Sequence, residues 1–233
     1  MVKALAPGLW RWLCPHPDWK PGKGGPGGWE REVASFCHRP KAGPLIIVDP
    51  LLPAPGRSRR RLISWLKGLM AQAGGKALIV TMNSFHRRGA CALRSALGRR
   101  RASICAHRAA ANVLGFKADR LLNGPAELAG GVRALAVDGY YREELVLWLE
   151  GPRALVFADT LIGVGGGKVR VAPASWAPQG AAARLRYDRL FRRSLARLLR
   201  LPARALIPSH GEPVLSGGRK ALRQALEATA WGG

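Results

Sequence analysis

Acidic side chains are scarce in this sequence: 14 Asp and Glu stand against 38 Lys and Arg, a formal net charge of +24. That deficit excludes a chain that relies on a carboxylate-rich surface for solubility, and it predicts attraction to polyanions by long-range Coulomb forces. Long apolar runs are also missing. Nothing approaches the ~20 residues a membrane helix needs, so no membrane association is expected. The N-terminal MVKALAPGLWRWLCPHPDW lacks the extended apolar region and small-residue cleavage site of a signal peptide, and the expected location is cytoplasmic. Cysteine is sparse and scattered (Cys14, Cys37, Cys91, Cys105) with no CxxC. Neither a zinc knuckle nor a disulfide framework is indicated.

What is present suffices for a full core. Hydrophobic residues make up 48% of 233 positions, and a length of this order is most simply one domain, residues 1–233. Arginine dominates the positive charge, with local peaks at Arg57–Arg61, Arg87–Arg88, Arg99–Arg101 and Arg184–Arg204. Arginine pairs bidentately with phosphate, so weak binding of nucleic acid or another polyanion is expected, beside the plainer reading of a solvated basic surface.

Hydrophobic pattern and turn residues divide the chain. Leu9–Leu13 alternates like a strand, and Pro21–Gly28 is a Gly/Pro loop. Glu32–His38 is a second candidate strand. Continuous apolar runs at Leu45–Val48 and Ala77–Thr81 read as buried strands. Between them Arg59–Ala73 carries Leu62, Ile63, Leu66, Leu69 and Met70 at helical spacing, stopped by Gly74-Gly75. A helix Gly89–Leu97 and strands at Ala102–Ala106, Leu135–Val137, Leu145–Leu149 and Ala154–Ala158 follow, with Gly151-Pro152 as a hairpin turn. Gly163–Gly167 reads as a flexible loop. Ala181–Leu199 reads as a basic amphipathic helix with Leu190, Phe191, Leu195 and Leu198 on one face. Ala205–Pro208 is the last strand and Gly218–Ala230 the last helix. Strands and helices alternate but hairpins interrupt, which suits two mixed sheets packed together with helices outside.

Several stretches carry more specific information. LIPSHGEPVL (Leu206–Leu215) presents His210 at the end of a strand. LIIVDPLL carries Asp49, ALIVTMNSFHRRGA carries His86, Arg87 and Arg88, VDGYYREELVLWL carries Tyr140, and ALVFADTLIG carries Asp159. In this order the segments resemble the metallo-β-lactamase fold superfamily, over roughly residues 1–230. The resemblance implies an α/β fold, a four-layer αβ/βα sandwich of two mixed sheets, with the site in loops along one edge.

It also implies a metal site with parts missing. The family's THxHxDH segment falls on Thr81–Arg88, and two alignments are open. One puts His86 at the motif's Asp. The other puts His86 at its second His and Arg88 at the Asp, and it fits better, since the segment is similar to a divergent branch that keeps one His followed by a charged pair. The His of the family's GH pair is replaced by Tyr140, expected near the site and not a ligand. Asp159 matches the Asp of GDxL, and His210 matches the last ligand. What the resemblance leaves is His86, Asp159 and His210, a set suited to one divalent metal, zinc first and iron or manganese as alternatives. Family counterparts of His86 and His210 serve different metals of a pair, so convergence on one ion does not follow from the resemblance alone.

The implied activity is a metal-dependent hydrolase of an ester, thioester or phosphoester with at most one metal. His86 and Asp159 are the candidate catalytic residues, Asp159 as ligand or general base. Arg87 and Arg88 would hold the anionic group of a small substrate, and Asp49 would support the site from behind. The alternative is a non-catalytic protein of the same fold that binds nucleic acid or another polyanion. His16 and His107 are weaker candidates, each more simply an exposed or strand-end histidine. GVGGGK lacks the frame of a phosphate loop. The N-terminal tryptophans read as a cluster stapling their own loop.

Overall fold

The computed structural model describes residues 2–22, 29–138, 143–173, 176 and 190–228. Two sheets face each other. The first is ordered β1 (Val2–Ala6), β2 (Leu9–Pro15), β3 (Glu32–His38), β4 (Leu45–Val48), β5 (Ala77–Thr81), β6 (Ala102–His107) and β7 (Arg120–Leu122). It is antiparallel from β1 to β4 and parallel from β4 to β7. Parallel neighbours need crossovers: helices α1 (Arg57–Gln72) and α2 (Ala90–Leu97) supply the first two, and a connection with a 3-10 turn at Arg108–Ala110 the third. The second sheet runs β12 (Lys168–Val171), β11 (Ala154–Gly165), β10 (Leu145–Leu149), β9 (Val132–Ala136) and β8 (Ala126–Ala129), with β13 (Ala205–His210) parallel to β11. Helices α3 (Arg192–Arg197) and α4 (Gly218–Ala228) complete the described elements.

The period of two along each strand creates the layers. Ile46 and Val48 of β4 point inward with Leu78 and Val80 of β5, where they meet Leu145, Leu147, Val156 and Ile207 of the second sheet. Their neighbours Ile47 and Ile79 point outward onto Leu62, Leu66, Leu93 and Leu97 of the first two helices. On the other side Trp148, Leu155 and Phe157 face Phe191, Leu195 and Leu222. The result is helix, sheet, sheet, helix, the αβ/βα sandwich implied by the sequence. Among the described residues no helix is long and apolar enough to cross a membrane.

Three expectations change. Ala154–Ala158 is only the first part of β11, which continues for 12 residues through Asp159 to Gly165, so Asp159 lies within a strand and not after one. It can continue because β11 changes partner. Its first part pairs β10 from Ala154 to Phe157 and its last part pairs β12 from Leu161 to Gly165, while β13 stays alongside with a register shift between Phe157 and Ile162. The expected glycine loop is therefore a strand end, with only Gly166-Gly167 left as a turn. Leu190 is exposed at 46%, while Phe191, Leu195 and Leu198 are buried as expected. The stretch 177–189 of the expected basic helix lies outside the described residues.

One contact welds the ends of β11 and β13 together. A Cβ on Gly211, whose φ is +74°, would stand 1.9 Å from the Gly163 carbonyl oxygen, and a Cβ on Gly163 would stand 1.9 Å from that of Glu212. Only glycine lets the two backbones approach this closely. The four cysteines are free thiols. Cys14, Cys37 and Cys105 are buried in the first sheet, whereas Cys91 is exposed on α2.

Candidate metal centre

The ends of β4 and β5 open the site. Asp49, directly after β4, is fully buried with φ +47°, a left-handed conformation that aspartate tolerates better than most residues. Its Oδ1 accepts from the Met82 backbone N–H at 2.8 Å, which locks the β4 and β5 exits together. Its Oδ2 is 2.7 Å from His86 Nδ1. Past β5 the chain makes a 3-10 turn at Phe85–Arg87. Asn83 shapes that turn: its Oδ1 accepts from the His86 backbone N–H at 2.9 Å, and its Nδ2 donates to Asp159 Oδ2 at 2.8 Å.

From the other sheet come Asp159 and His210. The Asp159 Oδ1 is 3.0 Å from His86 Nε2 and 3.1 Å from His210 Nε2. All three donor atoms lie within 4.8 Å of one another. Tetrahedral ligands at bond lengths of about 2.0 Å sit about 3.3 Å apart, so the cluster has the size and the chemistry of a single-ion site. It brings together residues 51 and 76 positions apart, counted from Asp159 to His210 and to Asn83. His86 and His210 thus converge with Asp159 on one point, although their family counterparts were expected to serve different metals of a pair.

Arg88 enters from the side. Its backbone has φ 28° and ψ −117°, outside the regions favoured for a side-chain-bearing residue. One guanidinium nitrogen lies 3.0 Å from His86 Nε2, and the other donates to the Ala34 carbonyl at 3.2 Å. Its Nε is buried with no partner. Gly89 makes the turn possible: its N–H donates to the Pro50 carbonyl at 2.8 Å, and a Cβ there would stand 2.8 Å from the same oxygen.

Burial and charge pull these groups in opposite directions. For His86, burial and Arg88 disfavour the proton, but the carboxylates of Asp159 and Asp49 outweigh them and raise its pKa to about 9. Asp159 is driven upward by burial and more strongly downward by His86 and His210, ending well below the usual carboxylate range. His210 is lowered, chiefly by burial, against support from Asp159. Glu144, beneath Asp159, accepts from the Asp159 and Thr160 backbone N–H groups at 3.1 and 2.8 Å. Burial, then the Asp159 charge, pushes its carboxyl up to about 8. For Arg88, burial works against the charge while Asp49 and Asp159 support it.

Not every residue singled out in the sequence arrives here. Arg87 turns the other way and donates to the Val113 and Leu114 carbonyls at 3.0 and 3.1 Å, so the adjacent arginines separate into a surface staple and a site residue. His107 accepts from Ala109 N–H at 3.1 Å at the end of β6 and stands outside the cluster. His16 is one ring removed: it packs edge-on against Trp29 at 5.0 Å, and Trp29 packs on His210 at 5.2 Å. Trp176 covers the same His210 ring at 5.4 Å. Tyr140 lies outside the described residues.

Sequence reasoning did not single out Asn83, Arg11 or Trp176; it matched Glu144 to the family segment without a role at the site, and read Trp29 as part of a cluster stapling its own loop, whereas Trp29 packs on His210. Arg11 is 6% exposed and donates to the Gly211 carbonyl at 2.6 Å. A buried arginine on an alternating strand was the available signal. Asn83 lay within the motif-bearing segment, but its role depends on a partner from the opposite sheet.

No protein-family model matches the sequence, and no curated protein does. Solved structures match over almost the whole chain. DIM-1 metallo-β-lactamase is 16% identical, with a TM-score of 0.67, covering 97% of this chain and 95% of its own. A metallo-β-lactamase from Pontibacter korlensis is 15% identical (TM-score 0.66; 98% and 99%). The metallo-β-lactamase FIM-1 from Pseudomonas aeruginosa, in a mono-zinc form, is 14% identical (TM-score 0.66; 97% and 94%). At these identities the likeness is one of fold.

Proposed function

We propose that this chain, which has the metallo-β-lactamase fold, is a hydrolase that uses at most one divalent ion to cleave an anionic ester, thioester or phosphoester. The observation that carries the reading is the convergence of His86 Nε2, Asp159 Oδ1 and His210 Nε2 within 4.8 Å. Two imidazoles and a carboxylate suit zinc, and iron(II) or manganese as alternatives. One of the similar solved structures is itself a mono-zinc form. When bound, such an ion supplies Lewis acidity and lowers the pKa of water toward ~7.

The chain's own residues do the rest. Asp49 accepts the Nδ1 proton of His86, fixing the tautomer that leaves Nε2 free to ligate. Asn83 restrains Asp159 through Oδ2 and leaves Oδ1 for the cluster. Trp29 and Trp176 pack against the ring of His210 and shield that side from water. Arg88, and not Arg87, is placed to meet an anionic group. The basic surface supports a second activity, weak binding of polyanions: Arg57, Arg60 and Arg61 on α1 and Arg99, Arg100 and Arg101 after α2 are all exposed. Oligonucleotide affinity that falls steeply with salt is its expected signature, and affinity indifferent to salt overturns it.

Elemental analysis after reconstitution tests the main reading. Wild type should hold at most about one ion per chain. His210→Ala should hold none, and His16→Ala should match wild type. A panel of chromogenic carboxylate esters, thioesters and phosphodiesters should show metal-dependent turnover that His210→Ala abolishes. Two ions per chain, or a metal-loaded protein that cleaves none of the three classes, overturns the reading.

A further inference from the structure

The least explained feature of the site is its own cation. Arg88 sits in a backbone conformation that costs of order 1–3 kcal/mol for a residue with a side chain. Its guanidinium is braced by the Ala34 carbonyl, reaches 3.0 Å from a metal-ligating nitrogen, and leaves Nε buried without a partner. Strain of this kind persists only where the surroundings impose it, and here the Gly89–Pro50 backbone bond does so. Two readings that would make Arg88 unremarkable fail. A surface staple would resemble Arg87, which reaches two backbone carbonyls from an exposed position. A counter-ion for Asp159 is not required, because His86 and His210 already flank that carboxylate.

Charge counting shows what a permanent cation does there. With both imidazoles neutral, as ligation through Nε2 requires, the carboxylates of Asp49 and Asp159 and the guanidinium of Arg88 leave one negative charge around the donor atoms. A divalent ion turns that single negative charge into a single positive one. A buried unbalanced charge is costly, and a monoanionic ligand removes it. With Arg88 replaced by a neutral residue, the same divalent ion balances the two carboxylates by itself.

We propose that Arg88 makes metal loading and anion binding mutually dependent: its guanidinium opposes the divalent ion on its own and favours the ion once a monoanionic oxoanion occupies the cleft. The site is then weakly loaded at rest and loads fully with a carboxylate or phosphodiester beside Arg88. By linkage the effect is reciprocal, the ion tightening the anion as much as the anion tightens the ion. The proposal rests on the one-ion reading above and assigns its anion-binding residue.

The experiment is zinc binding to the metal-free full chain, followed by calorimetry, alone and with saturating acetate or dimethyl phosphate. Wild type should bind zinc about tenfold more tightly with an anion present, within the usual range of coupling between sites. Arg88→Met should bind zinc more tightly than wild type without an anion, and its anion effect should fall below about twofold. Arg88→Gly, whose backbone accepts this conformation, should behave like Arg88→Met and guards against a variant that fails to fold. Acetate and dimethyl phosphate separate the two oxoanion classes: whichever gives the larger coupling names the group. Zinc bound equally tightly by wild type and both variants, or a wild-type affinity unmoved by either anion, overturns the proposal. Zinc bound by neither wild type nor variants overturns the one-ion reading instead.

Discussion

The two sheets contribute to the site in different ways. The second sheet provides Asp159 and His210 from within strands, His210 opposite Ile162 and Asp159 at the register shift of β11, beside the glycine contact where β11 and β13 meet. The first sheet provides Asp49, His86 and Arg88 from strand exits and a 3-10 turn, and Asp49 and Arg88 are two of its non-glycine residues with positive φ. One side is set by strand backbones that meet too closely to admit side chains. The other is set by side-chain hydrogen bonds and carries strain. Backbone strain gathered on one side points to the side where the chemistry is adjusted.

The largest expected effect breaks the rigid side. Gly211→Ala puts a Cβ 1.9 Å from the Gly163 carbonyl oxygen at a φ of +74°. Overpacking and the left-handed penalty together should cost about 4 kcal/mol, read by urea denaturation. A loss under about 1 kcal/mol would show that the weld yields and that the contrast between the sides is overstated.

A smaller effect tests the electrostatic side. His86 is raised to about 9 in the folded chain, so its stabilisation is fully present below its ordinary value of about 6.5 and disappears as pH rises through 9. Glu144, raised to about 8, works in the same direction, since its buried carboxyl must ionise as pH climbs. Metal-free protein should therefore lose about 3 kcal/mol from His86 alone between pH 6 and pH 9.5, with Glu144 adding to the loss, seen as a falling Tm in chelator. Asp159→Asn should flatten that slope. A Tm that holds or rises over this interval contradicts the assignment of the His86–Asp159 pair.

The smallest effects separate the adjacent arginines. Arg88→Gly relaxes a left-handed backbone and should gain about 1 kcal/mol of stability, an unusual outcome for a substitution inside a site. Arg87→Ala should lose no more than about 1 kcal/mol and leave anion binding intact. Equal losses in the two variants would mean that both arginines are staples.

Much of this frame is legible in the sequence because apolar runs with clean boundaries fold as they read. Glu32–His38, Leu45–Val48, Ala77–Thr81 and Leu145–Leu149 are strands with the expected limits. Strands β1, β7, β8 and β12 escaped notice; they are three to five residues long and partly exposed, so they carry little alternation. The length of β11 was hidden because its glycines signal a loop, while Gly163 serves close backbone approach and Gly165 takes a positive φ entering the turn. In the site, the three donor residues could be named from ordered segments. Their meeting point could not, since it depends on how two sheets stack. The divergence of Arg87 and Arg88 had no sequence signal at all: identical neighbours are separated only by a turn whose dihedrals the sequence does not display.

The cysteine distribution gives the protein an internal reporter. Burial pushes the Cys14 and Cys105 thiols up to about 11, and Cys37 higher still. At mildly alkaline pH a maleimide dye should therefore find Cys91, the exposed thiol. Cys91 lies near the start of the helix that follows Gly89. A fluorophore there rides on the first rigid body downstream of the Arg88 turn, so a loop rearrangement during loading becomes an emission change that can be followed in a stopped-flow instrument without altering any site residue.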